Sequence, residues 1–267
     1  LEENAKPSNR SYQYDFFYDN CATKIEDVIR AVLKEKVTFP NEHITSSKTH
    51  RDLIADYTSD FKWGKFGIDL ALGAVIDKEA TKDDYKFLPD YIFYAFEQAQ
   101  LNTDTGNQPL VRNVVNLHHE EISATKSFNP LESPLVLFSF LTVIIIFITF
   151  INYKNNKRYK WLDFSLFVIT GLIGIAVLLL WFATTHTATY QNYNFLWAFA
   201  PNIIVGFYLL KKSPPNWILP YFKLLLVLLG IMIILWILQV QNFNIAMIPI
   251  VVAFMVRYAF LVVKIKD

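Results

Sequence analysis

From residue 134 to the end, the sequence runs in long apolar stretches separated by short polar ones. A stretch of about 20 apolar residues is long enough to cross the hydrocarbon core of a bilayer. Five segments meet or approach that length: 134–151, 164–183, 195–210, 217–240 and 245–263. Backbone polar groups in hydrocarbon must bond within their own segment, so the pattern predicts an all-α bundle of five transmembrane helices. The third segment is short and carries Pro201-Asn202, which predicts a kink or an irregular stretch there.

Orientation follows from the basic residues of the short loops. Lys154, Lys157, Arg158 and Lys160 follow the first segment, Lys211 and Lys212 follow the third, and Lys264 and Lys266 follow the fifth. Residues 184–194 and 241–244 contain no Lys or Arg. This alternation puts the basic loops and the C-terminus on the cytoplasmic side and the N-terminal half outside. Lys223 and Arg257 lie inside segments, near their basic ends, and are expected to snorkel to the interface. Loop 184–194 is uncharged but rich in hydrogen-bonding groups. His186, Asn192 and Asn194 are candidates to bind a polar ligand group, against a plainer reading in which Tyr190, Tyr193 and Trp197 form an interfacial aromatic belt.

Residues 1–133 carry charges throughout and read as a soluble domain, with 129–134 as the linker. The net charge of +1 gives no reason to expect a nucleic-acid partner. This half contains Cys21, the only cysteine, in Tyr12-Gln-Tyr-Asp-Phe-Phe-Tyr-Asp-Asn-Cys-Ala-Thr23. Asp19 and Asn20 are good N-cap residues. Residues 24–33 follow with Ile25, Val28, Ile29, Val32 and Leu33 on one face of a helix. The thiol therefore stands in the first turn, where unpaired N–H groups and the macrodipole favour a thiolate, the nucleophilic form. The competing reading is a small buried filler.

The rest of this half offers less. Residues 36–48 read as a loop, with His43 and His50 as solvent-exposed bystanders, and Thr49 or Ser47 caps a helix over 51–57. Trp63-Gly-Lys-Phe-Gly-Ile-Asp-Leu-Ala-Leu-Gly73 lacks the spacing of a phosphate loop, so its glycines predict close backbone packing or a turn. Asp69 and Asp77 are polar orienters or caps. Pro89 opens a helix to about residue 100, with Ile92, Phe93, Phe96 and Ala99 on its apolar side. Residues 102–109 read as a loop and 111–117 as a strand or short helix. His118-His119-Glu120-Glu121 is not expected to bind metal, because adjacent side chains diverge.

Together, the block 12–23, the block 63–73 with Asp77, Phe87-Leu-Pro-Asp-Tyr91, and His186, Asn192 and Asn194-Phe-Leu-Trp before Pro201 resemble the Lnb family of bacterial lipoprotein N-acyltransferases. The resemblance implies an α+β, circularly permuted papain-like thiol-enzyme domain in the periplasm, here N-terminally incomplete, over residues 1–133. A five-helix transmembrane bundle over 134–267 of the inner membrane follows it. In that arrangement a His-bearing strand precedes the Cys-bearing helix, so a Gly-His block is expected upstream of Leu1; within the chain, His186 or another histidine would have to stand in as base. Cys21 is implied as nucleophile, with Asn20 as helix cap and oxyanion support and with Tyr18, Asp69, His186, Asn192 and Asn194 toward substrate. The implied reaction moves a fatty acyl chain from a glycerophospholipid, through a Cys21 thioester, to the α-amine of a diacylglyceryl-cysteine lipoprotein, with no metal or soluble cofactor. A membrane-tethered thiol peptidase or amidase is the alternative, and a non-enzymatic envelope protein the third reading.

Overall fold

The computed structural model describes residues 2–117 and 130–266; His118 to Glu121 and Asn129 lie outside them. The described residues form two compact units. One joins residues 1–53 to 78–126, and the other joins 54–77 to 127–267. Composition put the break at 133/134, whereas 54–77 pack with the helices of the second half.

The first unit begins with a short helix, α1 (Glu2–Ala5), and then α2 (Cys21–Leu33). Asn20 accepts from the N–H groups of Ala22 and Thr23 at 2.8 and 3.0 Å, and Thr23 Oγ1 accepts from the Asn20 N–H at 2.9 Å, a reciprocal capping box. The cap starts α2 at Cys21, three residues before its expected first residue. Of its apolar face Ile29 and Leu33 pack on the core, while Ile25 and Val32 are exposed. After β1 (Val37–Thr38) comes α3 (His50–Thr58). Thr49 and Asp52 cap α3 reciprocally at 3.0 and 3.1 Å, so it spans the expected 51–57 with one residue more at each end.

In the same unit, α5 (Pro89–Gln98) carries Pro89 at its first turn, as expected. Ile92, Ala95 and Ala99 are buried, but Phe93 is exposed. Residues 102–109 are not a loop. β2 (Gln100–Thr103) and β3 (Gly106–Pro109) form an antiparallel hairpin, with β1 on the other side of β2. The turn closes through Gly106 at φ +118°, a conformation glycine permits. Residues 111–117 form neither strand nor helix. Among the described residues the strands are few and short, and they share with α2 and α5 a core of Val37, Phe39, Ala95 and Ala99.

The second unit contains α4 (Lys62–Ala71) and the long helices α6 (Pro134–Lys154), α7 (Lys160–Phe182), α9 (Ile218–Ile237) and α10 (Met247–Lys266). Those four are long and apolar enough to cross a membrane. The expected third span takes another form. It is a 3₁₀ turn at Tyr193–Leu196, then Pro201, then the eight-residue α8 (Asn202–Leu209). Proline lacks an N–H and restrains the residue before it, so no continuous helix passes through 201.

This broken segment runs antiparallel along α7. Phe195 meets Trp181, Ala198 lies at Gly174, Ile203 at Gly171 and Phe207 at Phe164, while Arg158 donates to the Leu209 carbonyl at 2.8 Å. A Cβ on Gly174 would lie 1.9 Å from the Ala198 carbonyl oxygen, so the approach of the two backbones depends on glycine there. The basic loops meet at one end, where Arg158 reaches the Lys211 carbonyl and Lys264 bonds Asn156. Loops 184–194 and 241–244 meet at the other, through the Tyr193 N–H and Gln241 Oε1 at 2.7 Å.

Arg257 does not snorkel. It is fully buried, and its Nε and Nη2 each lie 2.7 Å from Asp163 Oδ1. Its Nη1 bonds Thr149 at 3.1 Å and Asn152 at 3.2 Å, and Arg158 adds a second cation 3.3 Å from Asp163 Oδ2. An acid inside the bundle made pairing less costly than reaching for the interface.

Candidate functional site

Cys21 is exposed, which removes the buried-filler reading. It is the first residue of α2, and Asn20 fixes its backbone. Beyond the cap, the Asn20 Nδ2 donates to the carbonyls of Phe16 and Phe87 at 3.0 and 2.8 Å. Both ends of its amide are engaged and little of it is exposed, so Asn20 holds the helix start, and both of its amide N–H groups are already taken. The cap consumes the Ala22 and Thr23 N–H groups, and that of Lys24 donates to the Asn20 carbonyl at 3.1 Å. The N–H of Cys21 is the one in this first turn without an acceptor among the described residues.

Charged and aromatic groups cluster beside Cys21. Lys24 pairs with Asp19 at 2.5 Å and stands 5.0 Å from the centre of the Tyr12 ring. The Asp19 hydrogen bond pushes the Lys24 ammonium up, so it stays charged. The Tyr12 phenol is also held above its ordinary value, first by loss of solvent and then by the neighbouring Cys21 and Asp19. Tyr12 belongs to the quoted motif, but nothing in its spacing marked it as the thiol's neighbour. Tyr18 is exposed and is raised by desolvation and then by Asp84 and Asp15.

His50 is not a bystander in solvent. It is buried, packed edge-on to Phe17 at 4.8 Å and beside Tyr18 and Phe87, and its Nε2 has no partner among the described residues. Burial lowers its pKa below the ordinary value near 6.5, against a smaller opposing pull from Asp84. The unfolded chain therefore takes up a proton that the folded ring resists. The stability of this unit should be complete above pH about 6.5 and fall as the pH drops below it, by at most about 1.4 kcal/mol per pH unit. Thermal melts from pH 7 to pH 5 should show that loss in the native protein and less of it in His50→Phe; equal acid sensitivity in both would exclude His50 as its source.

The second unit brings Asp69, Asn192 and Asn194 together. Asn192 Nδ2 donates to the carbonyls of Leu70 and Ala71 at 2.9 and 3.0 Å, and Asn194 Nδ2 to those of Asp69 and Leu70 at 3.2 Å each. These are the unpaired last carbonyls of α4, so the loop caps that helix from outside it. Trp197 donates to Asn194 Oδ1 at 2.9 Å. The Asp69 carboxylate accepts from Lys65 at 2.8 Å and from Asn244 at 2.7 Å. Both asparagines are buried and committed to the protein, which suits a structural part better than direct ligand contact. Tyr190, by contrast, is exposed, as a belt residue would be.

Gly73 meets the same loop. Its N–H donates to the Ala188 carbonyl at 3.0 Å, and a Cβ there would lie 1.8 Å from the Tyr190 carbonyl oxygen. His186 stands exposed, apart from this network. The described residues contain no His, Cys, Asp or Glu cluster able to hold a metal.

Residues 124–267 match the family described as the Lnb transmembrane domain, and residues 1–55 match the Lnb N-terminal periplasmic domain. No curated protein and no solved structure matches the chain. A helical membrane unit over more than half of the chain, preceded by the segment that carries the capped cysteine, thus has one family behind it, and the chain belongs to the Lnb family of membrane proteins with a periplasmic N-terminal domain.

Proposed function

We propose that the protein matures lipoproteins as a cysteine-dependent N-acyltransferase. The Cys21 thiolate attacks an ester carbonyl of a glycerophospholipid. The tetrahedral oxyanion collapses, the glycerol oxygen leaves with a proton as lysophospholipid, and an acyl thioester remains on Sγ. The neutral α-amine of a diacylglyceryl-cysteine lipoprotein attacks that thioester. An amide forms, the amine's proton departs, and the thiolate returns. The observation that carries this reading is an exposed sulfur on the first residue of a capped helix, with its own N–H free to donate to the oxyanion.

Three finer expectations belong to the proposal. The periplasmic domain is a permuted papain-like thiol-enzyme domain. The bundle crosses the membrane five times, which is supported by the broken third segment lying along α7. Its basic end and C-terminus are cytoplasmic, supported by the clustering of Arg158, Lys211 and Lys264 at one end. Asp69, Asn192 and Asn194 serve substrate indirectly, by shaping the loop, while Tyr18 and His186 are exposed and free to meet it.

Quenching a reaction with phospholipid alone should trap a fatty-acyl adduct on Cys21, cleaved by hydroxylamine and lost when a diacylated lipopeptide is added. Mass spectrometry of the Cys21 peptide reads it directly. A peptidyl adduct would favour the peptidase or amidase reading, and no adduct under conditions of turnover would sink covalent catalysis.

A further inference from the structure

The basic end of the second unit carries two open hollows. One, of about 690 Å³, is bordered by residues 158–162 at the start of α7, among them Lys160 and Trp161, and by Leu210. The other, of about 520 Å³, follows one face of α8 from Ile203 and Ile204 past Phe207 to Lys211. The first hollow thus ends on Leu210 and the second on the next residue, Lys211. Trp161 of one wall and Phe207 of the other both pack edge-on to Phe164, with ring centres 5.6 and 5.2 Å apart. Trp161 and Phe207 are themselves 71% and 58% exposed. From Ile203 to Leu209, α8 runs roughly 9 Å at 1.5 Å per residue, so the apolar wall leads away from the charged end into hydrocarbon.

Charge at this end has one sign. Residues 151–163, 208–220 and 258–266 contain eight Lys or Arg and a single acid, Asp163. That acid is fully buried and paired with Arg257 and Arg158. Arg158 also donates to the carbonyls of Leu209 and Lys211 at 2.8 and 3.3 Å, so it builds the wall rather than offering a cation to a ligand. Lys160 and Lys211 differ from it: neither has a carboxylate partner among the described residues. Lys211 Nζ stands 4.7 Å from the centre of the Tyr208 ring, a contact that leaves its charge without a counter-ion. Two ammonium groups therefore border hollows whose other walls are largely aromatic and aliphatic.

We infer that these hollows hold one anionic glycerophospholipid of the leaflet at the basic end, its phosphate within reach of Lys160 and Lys211 and one acyl chain lying on Ile204 and Phe207. Charge selects the head group, because cations at a membrane surface with no acid beside them attract anionic lipid. The exposed wall selects a lipid over a soluble phosphate, which would leave Ile204 and Phe207 uncovered. Trp161 suits the interfacial level between the two. The bound lipid braces α8, whose eight residues are too few to cross a bilayer unaided, against α7. In the topology proposed above, Cys21 works on the opposite face, so this lipid is not the acyl donor and the inference does not rest on acyl transfer.

The test uses the full chain, stripped of lipid in detergent, with dioleoyl phosphatidylglycerol and dioleoyl phosphatidylcholine as probes. Native mass spectrometry should show one phosphatidylglycerol retained at a collision energy that removes phosphatidylcholine, and its addition should raise Tm by several degrees. Lys160→Gln with Lys211→Gln should lower retention at least tenfold. Lys154→Gln with Lys223→Gln, which removes the same charge from outside the hollows, should change it less than twofold. Phe207→Ala, which keeps every charge but removes part of the acyl wall, should lower retention severalfold and serves if the first pair does not fold. Equal retention of the two lipids, equal loss in both lysine pairs, or full retention in Phe207→Ala would each overturn the proposal. Displacement by glycerophosphoglycerol, the head group alone, at the concentration of the lipid would assign the site to a soluble phosphate and overturn it too.

Discussion

Cys21→Ser is expected to lower N-acylation of a diacylated lipopeptide by at least about a thousandfold while leaving the fold intact. The chemical reason is nucleophilicity: a serine hydroxyl is far weaker than a thiolate unless a base activates it, and loss of a nucleophile removes covalent catalysis as a whole. The structural reason for the second half is exposure. Asn20 holds the helix start through the backbone of Ala22 and Thr23, so changing one exposed atom of Cys21 should move stability by no more than about 0.5 kcal/mol. Asn20→Ala makes the complementary case. It removes the cap and two buried donors, so it should cost both stability and rate. Assaying each variant for initial rate and for Tm separates them. A Cys21→Ser protein with full activity would exclude a covalent role for the sulfur.

Arg257→Ala should destabilise the bundle by about 3–5 kcal/mol, because it leaves the fully buried Asp163 facing one cation, Arg158, at 3.3 Å. That corresponds to a Tm lower by roughly 10 °C for a unit of this size. Asp163→Ala should be at least as damaging, since two buried guanidiniums would then face each other without an anion. Replacing the pair together, Asp163→Leu with Arg257→Met, should recover much of the loss, because apolar side chains of similar volume bring no desolvation cost. Thermal unfolding in detergent reads all three. A single substitution costing less than about 1 kcal/mol would show that water reaches the pair.

The sequence carried the strongest periodic signals well. Apolar length located α6, α7, α9 and α10, and the Asp19-Asn20 step located the start of α2 to within three residues. The hairpin over 100–109 was not legible, because Gln, Asn and Gly have little β preference and the strands exist only by pairing. Neither was His50, whose burial comes from Phe17 and Phe87, residues distant along the chain. At the site, the capped helix start at Cys21 was readable from a dozen residues, while the exposure of Cys21 was decided by the fold. The commitment of Asn192 and Asn194 to the carbonyls of α4 was not, because those hydrogen bonds join residues more than 120 positions apart.

By itself, then, the sequence determined which residues could live in lipid, which end of the bundle is basic, and that the single cysteine opens a helix. These depend on local length, composition and capping. Tertiary structure alone decided that residues 54–77 belong with the membrane helices, that Arg257 pairs inward rather than snorkels, and that residues of α4, α6, α7 and α10 line one apolar pocket. Each of these results from side chains far apart in the chain satisfying or excluding one another, which no local pattern encodes.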